Sequence, residues 1–225
     1  MTAETTIAGL RTVVAGDEAT APRVVGLLHG FDMTPTDLSP FASSMGVPAW
    51  YLFPEGPVAA PRGRAWFHID ADARAASLAQ GPRDFAGQHP ADLPAGRARL
   101  LAFLDEVVAR AAGRPLVVGG FSQGGMVVCD TLLRHPREVA AVALLSSSRI
   151  AFDEWQPRLH AGAARGWRVL VSHGERDADL AFATGEGLRD ALAGGGAQVT
   201  WVPFPDGHEI PLVVWRRLRK VLLET

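Results

Sequence analysis

The sequence predicts an α/β protein in one domain spanning residues 1–225, with a mainly parallel sheet and helices on both faces. Short apolar runs bounded by Gly, Pro or Ser alternate along the chain with longer stretches of helical rhythm, the pattern of strand–helix–strand units. The length of 225 residues, with 48% apolar and 20% charged residues, suits a domain that buries its own core. A compact glycine-flanked turn at 120–124 joins an apolar run directly to a helical stretch, as strand-to-helix turns do in such sheets.

Each element follows from local pattern. An early strand is predicted within Ile7 to Val14. Val24 to Leu28 is a compact apolar run ending in His29-Gly30, hence a buried strand and a turn. Ala49 to Phe53 reads as the next strand, stopped by Pro54. Residues 56 to 94, rich in Pro, Gly and Ala, read as an irregular flap. Ala95 to Ala112 carries Leu100, Leu101, Leu104, Val107 and Val108 at helical spacing and is closed by Gly113 and Pro115. Strand Leu116 to Phe121 leads into helix Gly124 to Arg134, which His135-Pro136 ends. Strands Val139 to Leu145, Arg168 to Val171 and Gln198 to Val202 follow. Helices Phe182 to Ala193, ended by a triple glycine, and Leu212 to Leu223 complete the alternation.

Composition narrows the function. A net charge of −2, from 22 basic against 24 acidic residues, disfavours a nucleic-acid footprint. No apolar run reaches the roughly 18 residues of a membrane span, so stable membrane insertion is not expected. The polar start of the chain lacks the basic and apolar regions of a signal peptide, and a cytoplasmic location is the expectation. Cys129 is the one cysteine, so no internal disulfide is available. No H-x-H or H-E-x-x-H pattern occurs, and neither a metal nor a cofactor is expected. A homodimer is left open.

Gly120-Phe121-Ser122-Gln123-Gly124 matches G-x-S-x-G. The small neighbours permit a sharp turn that holds the Ser122 hydroxyl at the top of the sheet. A serine hydroxyl attacks a carbonyl only when a base takes its proton. Of the seven histidines, His208 sits between the last predicted strand and the last helix, at a strand's carboxyl end. His29 and His173 each precede a glycine after a strand and read as loop-shaping residues. An acid to orient the base is sought in Glu175-Arg176-Asp177-Ala178-Asp179, with Asp177 first, Asp179 second and Glu175 third. Backbone N–H groups for an oxyanion come from Gln123, after the serine, and from Phe31 in the turn after an early strand.

Together these segments resemble the phospholipase/carboxylesterase family of α/β-hydrolases, which includes bacterial carboxylesterases and acyl-protein thioesterases. The resemblance rests on Leu28-His29-Gly30-Phe31, Pro54-Glu55-Gly56-Pro57, Ala65-Trp66-Phe67, Gly120 to Gly125, Ser172-His173-Gly174 through Asp177, and Gly207-His208-Glu209-Ile210. It runs from about residue 22 to the C-terminus, and the chain order Ser, Asp, His fits it. The resemblance implies Ser122 as nucleophile, Asp177 as acid and His208 as base, with Phe31 and Gln123 as oxyanion donors. The implied substrate is a small-molecule ester or thioester with a short to medium acyl group. Trp66, Phe67 and Leu180, with Phe85, are candidates to line an acyl pocket, and core packing is an equal reading for the aromatics. Departures from the family pattern are Asp32 where Gly is usual, His68 where Asp is common after Trp-Phe, and Asp177-Ala178-Asp179-Leu180-Ala181 where Asp-Pro-x-Val-Pro is common. A non-catalytic ligand-binding protein of the same fold and a lactonase are the competing readings.

Overall fold

The computed structural model describes residues 2–225. The chain opens with β1 (Thr2–Ile7), β2 (Leu10–Ala15) and β3 (Val24–Leu28), followed by the short helices α1 (Pro35–Leu38) and α2 (Pro40–Met45) and by β4 (Trp50–Pro54). Next come the two-residue strands β5 (Val58–Ala59) and β6 (Arg64–Ala65), then α3 (Ala71–Leu78) and α4 (Leu93–Ala111). The second half holds β7 (Leu116–Phe121), α5 (Gln123–Arg134), β8 (Ala141–Leu145), α6 (Phe152–His160), β9 (Arg168–Gly174), α7 (Phe182–Gly194), β10 (Gln198–Phe204) and α8 (Leu212–Leu223).

One eight-stranded sheet has the order β1-β2-β4-β3-β7-β8-β9-β10. β1 pairs with β2, and β2 with β4, antiparallel; every pairing from β4 through to β10 is parallel. The central strands β3, β7 and β8 are buried along their whole length, which is why they read as continuous apolar runs. On one face, Leu100 and Phe103 of α4, Val128 of α5, Trp155 of α6 and Leu188 of α7 pack in one core cluster. On the other, Met45 of α2 and Trp215, Leu218 and Leu222 of α8 pack in a second. Helices therefore cover both faces, as the alternating pattern predicts. Among the described residues, no helix is long and apolar enough to cross a membrane.

The expected early strand is in fact two. Ala8 and Gly9 both have positive φ (49° and 78°), the geometry of a tight hairpin turn, and the chain folds back on itself there. The segment 56–94, expected as an irregular flap, contains the β5–β6 hairpin and α3. Asp70 caps α3, accepting from the Ala73 N–H at 2.7 Å, yet none of its residues is buried, so no apolar stripe announces the helix.

Candidate active site

Ser122 stands where β7 meets α5 with φ 52° and ψ −119°, a conformation outside the relaxed regions for a residue with a side chain. Such a backbone costs on the order of 1–3 kcal/mol and persists only where its surroundings hold it. Here the Ser122 N–H donates to Leu145 O of β8 at 2.8 Å, and the Ser147 hydroxyl donates to Ser122 O at 3.0 Å. Gly124 is required by packing, since a Cβ there would lie 2.6 Å from the carbonyl oxygens of Leu28 and His29. That approach brings the turn after β3 to the serine. A Cβ placed on Gly30 would be 3.3 Å from Ser122 Cβ.

Phe31, the next residue, belongs to this turn. No protein acceptor among the described residues takes the backbone N–H of Phe31 or of Gln123, the first residue of α5. The Gln123 side chain is committed elsewhere. Its Oε1 accepts from the Trp66 N–H at 2.7 Å and its Nε2 donates to Phe67 O at 2.7 Å, while the Trp66 indole donates to His29 O at 3.0 Å. These bonds tie the Trp-Phe segment to both loops beside the serine. Trp66 and Phe67 are fully buried, Leu180 is 1% exposed and Phe85 is 3% exposed, all within the core. Of the two readings given for the aromatics, Trp66 and Phe67 take core packing and Leu180 packs in the same cluster, whereas Phe85 also borders a cavity beside α3.

His29 has one tautomer here. Its Nε2 accepts the Gly56 N–H at 2.9 Å, so Nδ1 carries the proton and donates to Gly30 O at 2.7 Å. Burial pushes its pKa below the ordinary histidine value, and the bond to Gly30 offsets this only in part. A depressed histidine pKa means that the unfolded chain takes up the proton first. His29 therefore contributes stability that is present above the unfolded value of about 6.5 and is lost as pH falls from there toward the folded value. His29→Gln, which keeps a neutral donor and acceptor, should flatten the fall in urea midpoint between about pH 7 and pH 5. Equal slopes in both proteins would mean that another group titrates.

Asp32 follows Phe31 with φ 63°, in the left-handed region, which explains why a glycine is usual at this position and why Asp can replace it. Its Oδ1 accepts from the N–H groups of Arg62 (2.6 Å) and Gly63 (3.1 Å), and its Oδ2 from Arg62 Nε (3.0 Å). The carboxylate is thus turned onto the β5–β6 hairpin. Asp32→Gly should release that hairpin and lower kcat on a neutral acetate ester by about threefold to tenfold, independently of salt, the scale of one or two lost hydrogen bonds. A rise in kcat would show that the charge had opposed the reaction.

The acid loop follows β9. A Cβ at Gly174 would sit 2.2 Å from Gly207 O, so only glycine lets this loop lie against the one carrying His208. Asp177 Oδ2 accepts from His208 Nδ1 at 2.6 Å, while Asp177 Oδ1 accepts the N–H groups of Asp179 (2.8 Å) and Leu180 (2.9 Å). His173, fully buried, adds a contact the sequence does not announce: its Nε2 lies 3.3 Å from Asp177 Oδ2 and 3.1 Å from Leu180 O. Burial opposes the charge on Asp177, but the bonds from His173, His208 and the Leu180 N–H outweigh it and hold the carboxyl well below the usual carboxylate range. His208 also packs on Phe121, ring centroids 4.8 Å apart, which seats the imidazole beside the residue preceding Ser122. The Ser146 hydroxyl fixes the same loop by donating to Glu209 O at 2.9 Å.

Asp179, the second choice for the acid, points elsewhere. Its carboxylate pairs with Arg83 and, at 2.5 Å, with Arg74 Nη2 of α3. Asp179 O also accepts the Arg83 N–H at 2.9 Å. Glu175, the third choice, is exposed. Geometry thus joins Asp177 to His208 and gives Asp179 to the flap.

A strained serine on a strand–turn–helix, with a histidine that is bonded to a buried carboxylate and packed on the residue preceding that serine, fits hydrolases built on this sheet. A family model of the alpha/beta hydrolase fold matches residues 48–184, more than half of the chain, and the chain belongs to that family. Among solved structures it is similar to the carboxylesterase from Mesorhizobium loti, with a TM-score of 0.75 and 22% identity, covering 100% of this chain and 99% of that one. It is also similar to acyl-protein thioesterase 2 from Zea mays, with a TM-score of 0.77 and 21% identity over 95% and 98% of the two chains. The carboxylesterase of Bacillus cereus gives 0.72 and 19% over 96% and 94%. At these identities the likeness is one of fold. No curated protein sequence matches the chain.

Proposed function

We propose that the protein is a serine hydrolase that cleaves carboxylic esters or thioesters of short to medium acyl groups through an acyl-enzyme. The observation that carries this reading is the 2.6 Å hydrogen bond from His208 Nδ1 to Asp177. It fixes the tautomer in which His208 Nε2 is free to accept a proton. In the proposed cycle, Nε2 takes the Ser122 hydroxyl proton as Oγ attacks the carbonyl carbon. The oxyanion is held by the N–H groups of Phe31 and Gln123. Collapse of the tetrahedral adduct breaks the bond to the alcohol or thiol, which leaves with the proton from His208. Water then repeats the sequence on the acyl-serine and regenerates the enzyme.

The free N–H groups of Phe31 and Gln123, and the carboxyl kept ionised at Asp177, support these roles. The scheme draws on no cofactor. A cytoplasmic site of action fits a chain whose lone cysteine, Cys129, is buried. The test is pre-steady-state mixing with p-nitrophenyl acetate. A stoichiometric burst of p-nitrophenol followed by steady turnover is the expected result. Release without a burst would remove the accumulating acyl-enzyme, and no release at all would leave a ligand-binding protein.

A further inference from the structure

Resting on that reading, we propose that Arg74 makes this enzyme selective for esters whose acyl group ends in a carboxylate. Arg74 projects from α3, and its guanidinium carbon lies 5.9 Å from the centroid of the Phe31 ring, so it overhangs the residue assigned to the oxyanion. Its Nη2 reaches Asp179, two residues beyond Asp177. One side chain thereby spans the loops that carry the oxyanion donor and the acid.

The same arginine lines a cavity of about 320 Å³ beside α3, together with Arg83, His68 and the apolar Ile69 and Phe85. That is the volume of a small ligand site, with room for a short chain bearing a terminal carboxylate. Its lining carries two guanidiniums, Arg74 and Arg83, against one carboxylate, Asp70. Asp70, the acidic lining residue, caps α3 through the Ala73 N–H, and Asp179 is shared between Arg74 and Arg83. His89 is turned to Asp153 and Glu154, at 3.0 and 3.3 Å. Arg74 Nε is buried and finds no acceptor among the described residues, so Asp179 leaves this guanidinium only partly satisfied. His68 adds a further imidazole at the position where the resembled family commonly has an Asp.

Two p-nitrophenyl esters of equal acyl length, the hexanoate and the hemiadipate, test this. The hemiadipate-to-hexanoate ratio of kcat/KM should fall by about tenfold in Arg74→Gln, chiefly through KM, the size of one charge-assisted hydrogen bond. In Asp179→Asn the ratio should instead rise, because the competing carboxylate is gone. A role confined to holding the flap would move both variants the same way, since each breaks the same ion pair. That outcome, or an unchanged ratio in Arg74→Gln, overturns the proposal. Calorimetric binding of monomethyl adipate to Ser122→Ala protein reads the site without turnover. Binding lost on adding Arg74→Gln supports the proposal, and binding that is absent or unaffected overturns it. Failure of the wild-type enzyme to cleave either ester counts against the hydrolase reading alone.

Discussion

Ser122→Ala should abolish the burst of p-nitrophenol and lower steady ester turnover to a residual level, a loss on the order of 10⁵–10⁶ in kcat when a nucleophile of this type is removed. The fold should survive. Ser122 is held by its backbone, through Leu145 O and Ser147 Oγ, and neither bond involves the hydroxyl that is deleted. The positive φ is retained in the variant, so stability changes little. A fluorophosphonate probe should label the wild type and leave the variant unmarked, with unfolding midpoints confirming that both are intact. Labelling that persists at another residue would remove Ser122 from the mechanism.

Asp177→Asn is expected to lower kcat by about 10⁴. An amide in place of the carboxylate cannot stabilise the imidazolium, and it presents an N–H where His208 Nδ1 now donates. The tautomer reverses and Nε2 loses its lone pair to a proton. The same substitution removes a carboxyl whose pKa is depressed in the folded state. A group of this kind contributes stability above its unfolded value, near 3.9, that is lost as pH falls through the folded value. Wild type should therefore lose stability on acidification below about pH 4 more steeply than the variant. Asp179→Asn is the control. Its carboxylate serves Arg74 and Arg83, so turnover of a neutral ester should fall far less than in Asp177→Asn. Reversal of the two effects would make Asp179 the acid.

Much of this site was legible in the chain because it lies at strand ends. Val24–Leu28 and Leu116–Phe121 have the same bounds in sequence and structure, since strands buried on both faces are apolar throughout and end at glycine-rich turns. The G-x-S-x-G turn, the histidine after β10 and the aspartate after β9 could be located by counting strands. Asp32 and Gly174 show the limit of that reading. A left-handed backbone explains the usual glycine after Phe31, but only the fold reveals that the Asp32 carboxylate turns onto the β5–β6 hairpin.

Local sequence determined the alternation of strands and helices, the elbow at Ser122 and the order of the residue types that follow it. These depend on periodicity and turn chemistry, which act over a few neighbours. Tertiary structure alone set His208 on Asp177 and not on Asp179, brought His173 to the carboxylate of Asp177, and placed Arg74 over Phe31. It also buried Trp66 and Phe67 as supports. α6 escaped the sequence reading because Pro157 lies inside it and its apolar stripe is reduced to Trp155 and Leu159. Each of these outcomes turns on contacts between residues far apart in the chain, set by which loops the sheet order β3-β7-β8-β9-β10 carries side by side. Hydrogen bonds and ion pairs of that range leave no periodic trace in a sequence, so the direction in which a carboxylate or guanidinium points is fixed only when the sheet has closed around it.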